Sequence, residues 1–204
     1  MTREELLKIA KPILFNTEMV QAILEGRKTV TRRVIKPQPT YSPRDGFTYR
    51  GGAYGIGMPP EIESAAYNLR CAAPYKVNDV LWVRETWGED KHNFLYRADF
   101  SENDLEKVGH LLRWRPSIHM PKAAARIFLR VTNVRVERVQ DITEEQAKAE
   151  GSNVGISWTE KLEHSSIERF EKIWNSTIKK ADLDKYGWEA NPWVWVVEFE
   201  RVEV

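Results

Sequence analysis

A chain of 204 residues is long enough to bury a core without disulfide or metal staples, and 42% hydrophobic with 30% charged residues excludes a disordered or membrane-embedded composition. Thirty-one Lys and Arg against 30 Asp and Glu leave a net charge of +1, which removes any global attraction to phosphate. A nucleic-acid contact therefore has to come from local clustering.

In chain order, Lys11 to Phe15 (KPILF) predicts a short apolar strand. Asn16 or Thr17 can then cap a helix with Met19, Val20, Ile23 and Leu24 on one face, which stops at Gly26, a natural position for a left-handed turn. The β-branched stretch Lys28 to Ile35 (KTVTRRVI) leaves that turn extended. Residues 36–77 are rich in Pro, Gly and small side chains without sustained periodicity and predict a long surface insertion.

Asp79 to Trp87 (DVLWVRETW) reads as a strand with Leu81, Val83 and Glu85 on one face and Val80, Trp82 and Arg84 on the other. A second insertion, 88–121, holds a short strand from Phe94 to Asp99 and a proline-bounded loop, RWRPSIHMP, from Arg113 to Pro121. Ala125 to Val139 alternates strongly over its second half and predicts a long strand or a bent pair, with a phase slip near Asn133 suggesting a bulge.

Two helices follow, each opened by a capping box: Thr143 with Gln146, ending before Gly151, and Ser165 with Glu168, carrying the stripe Ile167, Phe170, Ile173, Trp174 and Ile178. Pro192 to Val202 (PWVWVVEFERV) closes the chain as an alternating strand; Trp195 and Phe199 are expected in the core, and Trp193 nearer a surface or pocket. Five or six strands, short helices and no regular βα alternation predict an α+β fold on a closed or nearly closed barrel, in one domain with two insertions.

Cys71 is the only cysteine, and His92, His110, His119 and His164 show neither HxH nor HExxH spacing, so no metal and no cofactor is expected. The first residues, MTREELLKIAKPILFN, lack the apolar h-region of a secretory signal, and no apolar run approaches the roughly 20 residues of a spanning helix. Cytoplasmic residence without a membrane partner is the expectation.

The densest polar constellation is Gly26 to Arg33 (GRKTVTRR), four cations and two hydroxyls on a tight turn that can present N–H groups and cations to an anion, or stand as solvated surface charge. Arg32 and Arg33 leave this turn on an extended chain and must point to opposite faces. Only one of the two can serve a cavity. The tryptophans Trp82, Trp87, Trp114, Trp158, Trp174, Trp188, Trp193 and Trp195 exceed what the core needs, and those beside Arg, Asn or Pro offer faces for stacking a base.

An apolar strand, a helix ending in EGRKTVTRR, the strand DVLWVRETW, the pieces WRPSIHMP and ITEEQAKAEG, and the closing NPWVWVVEFERV resemble the ASCH family of the PUA-like superfamily, in particular its longer phage- and prophage-associated members. The resemblance implies a PUA-like β-barrel. In compact bacterial members it implies hydrolysis of the acetyl amide of acetylcytidine by a lysine, a threonine three residues later and a downstream glutamate.

Transferred here, the resemblance implies Thr31 as the nucleophile, Lys28 lowering its proton affinity or taking its proton, and Glu150 as the acid/base or orienting group; by their place in the motif it implies Arg33 in the cavity and leaves Arg32 to solvent or a surface ion pair. The leading expectation is a polar cleft that binds RNA or a modified nucleoside, with Lys28, Thr31, Arg33 and Glu150 on its floor and Trp87, Arg115 and His119 at its rim. An amidohydrolase on acylated cytidine, or a ribonuclease, is the enzymatic alternative. A phage protein-interaction module using the Trp-rich insertions is a third.

Overall fold

The structure, a computed structural model, describes residues 1–56, 62–90, 93–108, 112–152 and 164–203; Trp158, His92 and His110 lie outside them. The first elements are α1 (Arg3–Ile9), β1 (Lys11–Leu14), α2 (Thr17–Leu24), β2 (Val30–Val34), β3 (Thr40–Ser42), β4 (Gly46–Tyr49), β5 (Gly52–Tyr54) and α3 (Ile62–Leu69). They are followed by β6 (Val80–Arg84), β7 (Trp87–Glu89), β8 (Phe94–Tyr96), α4 (Glu102–Val108) and β9 (Phe128–Arg138). The chain ends through α5 (Glu144–Ala149), α6 (Ser166–Thr177), α7 (Leu183–Tyr186) and β10 (Trp193–Val202).

This is a mixed α+β fold with short helices, and its main ladder runs in the order β1-β6-β9-β10-β2. Among the described residues no pairing closes that ladder on itself. The chain divides into two compact units, and β9 and β10 each contribute to both.

The first unit holds Met1–Lys28, Asn78–Arg130 and Glu200–Val204. Helix α1, absent from the sequence expectations, is opened by a reciprocal cap between Thr2 and Glu5 and buries Leu6. β1 pairs in parallel with β6, from Lys11 opposite Leu81 to Leu14 opposite Arg84. β6 also pairs antiparallel with the start of β9. With neighbours on both sides, Val80 to Val83 are all buried, and the pattern reads as a continuous apolar run. Leu6, Val80, Trp82, Trp87, Met120 and Phe128 belong to one core cluster.

Just past β6, Glu85 is buried and its carboxylate accepts two hydrogen bonds from Arg126, at 2.9 Å each. The same guanidinium donates to both oxygens of Asp99, at 2.8 and 2.7 Å, and stacks 3.9 Å from the Tyr96 ring centroid. Burial pushes the Glu85 carboxyl above its usual range, with the Arg126 hydrogen bonds acting against it.

The second unit holds Thr29–Val77 and Val131–Phe199. β2 and β10 pair antiparallel from Val34 opposite Val194 to Val30 opposite Glu198. One face of this pair packs Val30, Val194 and Val196 against Ala147 of α5 and Phe170 and Trp174 of α6. Residues of the other parity meet the β3–β5 meander, with Trp193 edge-on to Phe47 at 4.8 Å and Trp195 to Tyr49 at 6.0 Å.

Within residues 36–77 the chain forms the meander β3–β5, and Phe47, Tyr49 and Leu69 are buried. The strands of the meander are too short for periodicity to register. Gly46 fixes the turn, because a Cβ there would lie 2.3 Å from the carbonyl oxygen of Tyr54 at a φ of +69°. In β9 the buried positions shift from Val131 to Val134, the phase slip anticipated near Asn133.

Removing Arg126 while keeping Glu85 is expected to cost about 3 kcal/mol, since an uncompensated carboxylate stays buried. Burial already holds Glu85 of the wild type above its unfolded value and loss of Arg126 raises it further, so the deficit relative to wild type opens as pH rises through the wild-type folded pKa and closes as pH falls below it. Denaturant unfolding of wild type and variant across an acidic pH series checks both the size and the sign.

Candidate functional site

The polar turn is built from the end of α2. Gly26 takes a φ of +73° that other residues resist, and the amides of Arg27 and Lys28 both donate to the Ala22 carbonyl, at 2.8 and 3.0 Å. The turn thereby folds back on its own helix. Lys28 is only 3% exposed, with its ammonium 5.5 Å from the Phe15 ring centroid, a cation–π distance. Arg27, in contrast, remains near the surface and pairs with Glu25.

Lys28 ends the first unit and β2 belongs to the second. On β2, Thr31 lies opposite Val197, Arg32 opposite Val196 and Arg33 opposite Trp195, so Thr31 and Arg33 share one face and Arg32 takes the other. Thr31 is 4% exposed. The assignment of Arg32 to solvent is corrected, because its side chain has 0% exposure. The physical reason is that α5 and α6 cover the face that alternation alone would leave to water.

The Arg32 guanidinium holds three acceptors: Glu150 Oε1 at 3.3 Å, Glu137 Oε2 at 3.1 Å and Gln146 Oε1 at 2.6 Å. Its central carbon lies 5.9 Å from the Phe170 ring centroid, and its Nε–H is buried without an acceptor. Gln146 reached this place by way of its cap, since the same oxygen accepts the Thr143 amide at 3.2 Å. Glu137 in turn pairs with Arg135, which also holds Glu198.

Glu150 is the C-cap of α5 and is buried, a place where a carboxylate faces the negative end of the helix. The amide of Thr29 donates to the Ala149 carbonyl at 3.0 Å and so ties this helix end to the start of β2. The Arg33 guanidinium lies below its ordinary value, chiefly through burial, with the charges of Tyr75 and Glu150 opposing that effect. Glu150 therefore acts electrostatically on both arginines, from opposite faces of one strand. Alongside runs a cleft of about 330 Å³ lined by Thr29, Thr132, Arg135, Glu145, Gln146 and Glu198.

The expected rim differs. Trp87 is 3% exposed and belongs to the core cluster of the first unit, so its ring is no open stacking face. Arg115 bridges it through the backbone, lies 4.9 Å over its ring and pairs with Glu89 at 2.9 Å. His119 is exposed in a short 3-10 turn. Trp193 is buried, contrary to expectation, because Phe47 and Arg138 cover it; Trp195 and Phe199 are core as expected.

Sequence reasoning missed Arg135, Glu137, Gln146 and Glu198. The capping box was the signal that located Gln146, but a cap gives no hint of a second partner. No protein-family model, curated protein or solved structure matches the chain.

Arg32→Ala is expected to destabilise the protein by about 3 kcal/mol, because Glu137 and Glu150 lose their shared cation, whereas Glu150→Gln, which keeps an acceptor, costs about 1 kcal/mol. Chemical denaturation of the two variants at neutral pH measures the difference.

Proposed function

We propose that the chain is an ASCH-type protein with a PUA-like barrel, and that it binds RNA or a modified nucleoside in a polar cleft served by Thr31 and Arg33 of β2, with Glu150 as the orienting carboxylate. The observation that carries this reading is the burial of a cluster of ionisable groups, Arg32 with Glu137 and Glu150, at the turn that the motif marks. Arg32 has no exposed side-chain surface and an orphaned Nε–H, and Glu150 sits against a helix C-terminus. Such groups cost desolvation, and hydrophobic replacements of similar size are often as stable, so their presence favours a recognition role.

In this reading Arg32 holds Glu150 from one side, and Glu150 in turn biases Arg33. The Arg33 fork then grips a phosphate or a base carbonyl, and the Thr31 hydroxyl hydrogen-bonds the ligand. Lys28 joins the set on the strength of the GRKTVT motif, three positions before Thr31.

The test is calorimetric titration of short RNA and of free nucleosides, acetylcytidine among them, at two salt concentrations. Arg33→Ala is expected to weaken binding by about 1.5 to 3 kcal/mol through loss of a charge-assisted bond, and Thr31→Ala by about 1 kcal/mol. The weakening by Arg33→Ala is expected to persist at high salt, as an oriented contact does and a diffuse basic patch does not. Equal, salt-erased losses for any arginine substituted on the turn would overturn the proposal. Release of acetate from acetylcytidine, abolished in Thr31→Ala, would extend it to amide hydrolysis.

A further inference from the structure

The first unit contains a cleft of its own, about 430 Å³, lined by residues from α2 (Thr17, Glu18, Gln21), by Thr86 just past β6, and by Arg97, Glu102 and Trp114. Its volume is in the range of small-molecule sites, roughly 300–1,000 Å³. None of the residues assigned above to β2 or to α5 takes part in it.

Part of its hydrogen-bonding capacity is left over for a ligand. The indole N–H of Trp114 is buried and has no acceptor. Gln21 donates its amide to the Ala98 carbonyl at 3.2 Å, which leaves its oxygen to accept. Thr17, one helical turn before Gln21 on the same face, and Thr86 contribute hydroxyls that donate or accept.

Charge selects among ligands. Arg97 is committed to Glu102 at 2.8 Å and to the Phe100 carbonyl at 3.1 Å, while Glu18 adds a second carboxylate to the lining. The N-terminus of α2 is capped by Asn16, whose oxygen accepts the Met19 amide at 2.9 Å. Two carboxylates against one engaged cation repel a phosphate. What remains favourable is a flat, neutral group with donors and acceptors along its edge.

The platform for such a group is fixed. Phe100 meets Trp114 edge-on, with centroids 5.4 Å apart and planes at 72°. Gly88 lies beside the same ring, where a Cβ would come within 3.6 Å of Trp114 Cε3. A half-buried indole held this way loses little rotamer freedom when a base stacks on it.

We propose that this cleft is a nucleobase subsite, in which Trp114 stacks an unpaired base and Gln21, Glu18 and the two threonines read its edge. The proposal deepens the nucleic-acid reading by naming a base contact, and rests on that reading only for choosing a base among flat neutral ligands.

The experiment titrates the full chain calorimetrically with adenosine, guanosine, cytidine and uridine, and with ribose 5-phosphate and arginine amide as controls. It is run in wild type and in an Arg33→Ala background that silences the proposed β2 contact. At least one nucleoside is expected to bind in both backgrounds, and ribose 5-phosphate not to bind in the Arg33→Ala background. Trp114→Ala is expected to weaken that binding at least about ten-fold, with Trp114→Phe retaining most of it. Gln21→Ala is expected to change the ranking of the four bases.

If RNA binding proves insensitive to Arg33 and Thr31 while nucleosides still depend on Trp114, the β2 reading fails and this one stands. Absence of nucleoside binding, nucleoside binding indifferent to Trp114→Ala in a variant with the wild-type melting profile, or preferential binding of arginine amide would each overturn it.

Discussion

Arg32 has no water to fall back on. Once α5 and α6 cover its face of β2, its guanidinium must be satisfied by protein, and the acceptors it finds come from distant parts of the chain: Glu137 on β9, Gln146 in the first turns of α5 and Glu150 at its end. Each acceptor is thereby fixed in place by a charge it cannot abandon cheaply. The end of α5 is brought to the start of β2, which the Thr29 amide then secures, and Glu150 is held where its charge also reaches Arg33.

The first unit solves the same problem differently. Glu85 is the buried charge there and Arg126 its partner, but Asp99 completes the triad from a more exposed position, so the guanidinium lies between a dry carboxylate and a wet one. Neither cluster resembles the surface ion pairs that a charged fraction of 30% leads one to expect. The charges that matter most to this molecule are those removed from solvent.

Much of the element pattern was legible because capping residues and alternation are local properties. Thr143 and Ser165 open helices where their boxes place them, Gly26 ends α2, and the strands starting near Lys11, Val80 and Trp193 are found. What alternation cannot reveal is whether a strand's second face is covered. That is why alternation points Arg32 to solvent or a surface ion pair and Trp193 toward a surface or pocket, where the structure buries both.

The meander from Thr40 to Tyr54 was illegible for a different reason, since strands of three or four residues give no period to detect. The site was half legible. GRKTVTRR marked the segment, but the residues that hold Arg32 are scattered over β9 and α5, and only tertiary contact identifies them.

The division of the chain bears on how it can be made and cut. The first unit is assembled from residues 1–28, 78–130 and 200–204, and the second from residues 29–77 and 131–199. Neither unit can be excised as a continuous fragment, and a protease nick between them separates sequence without freeing a domain. Each unit joins segments far apart in sequence, so closing either one requires contacts of long sequence separation, which slow folding.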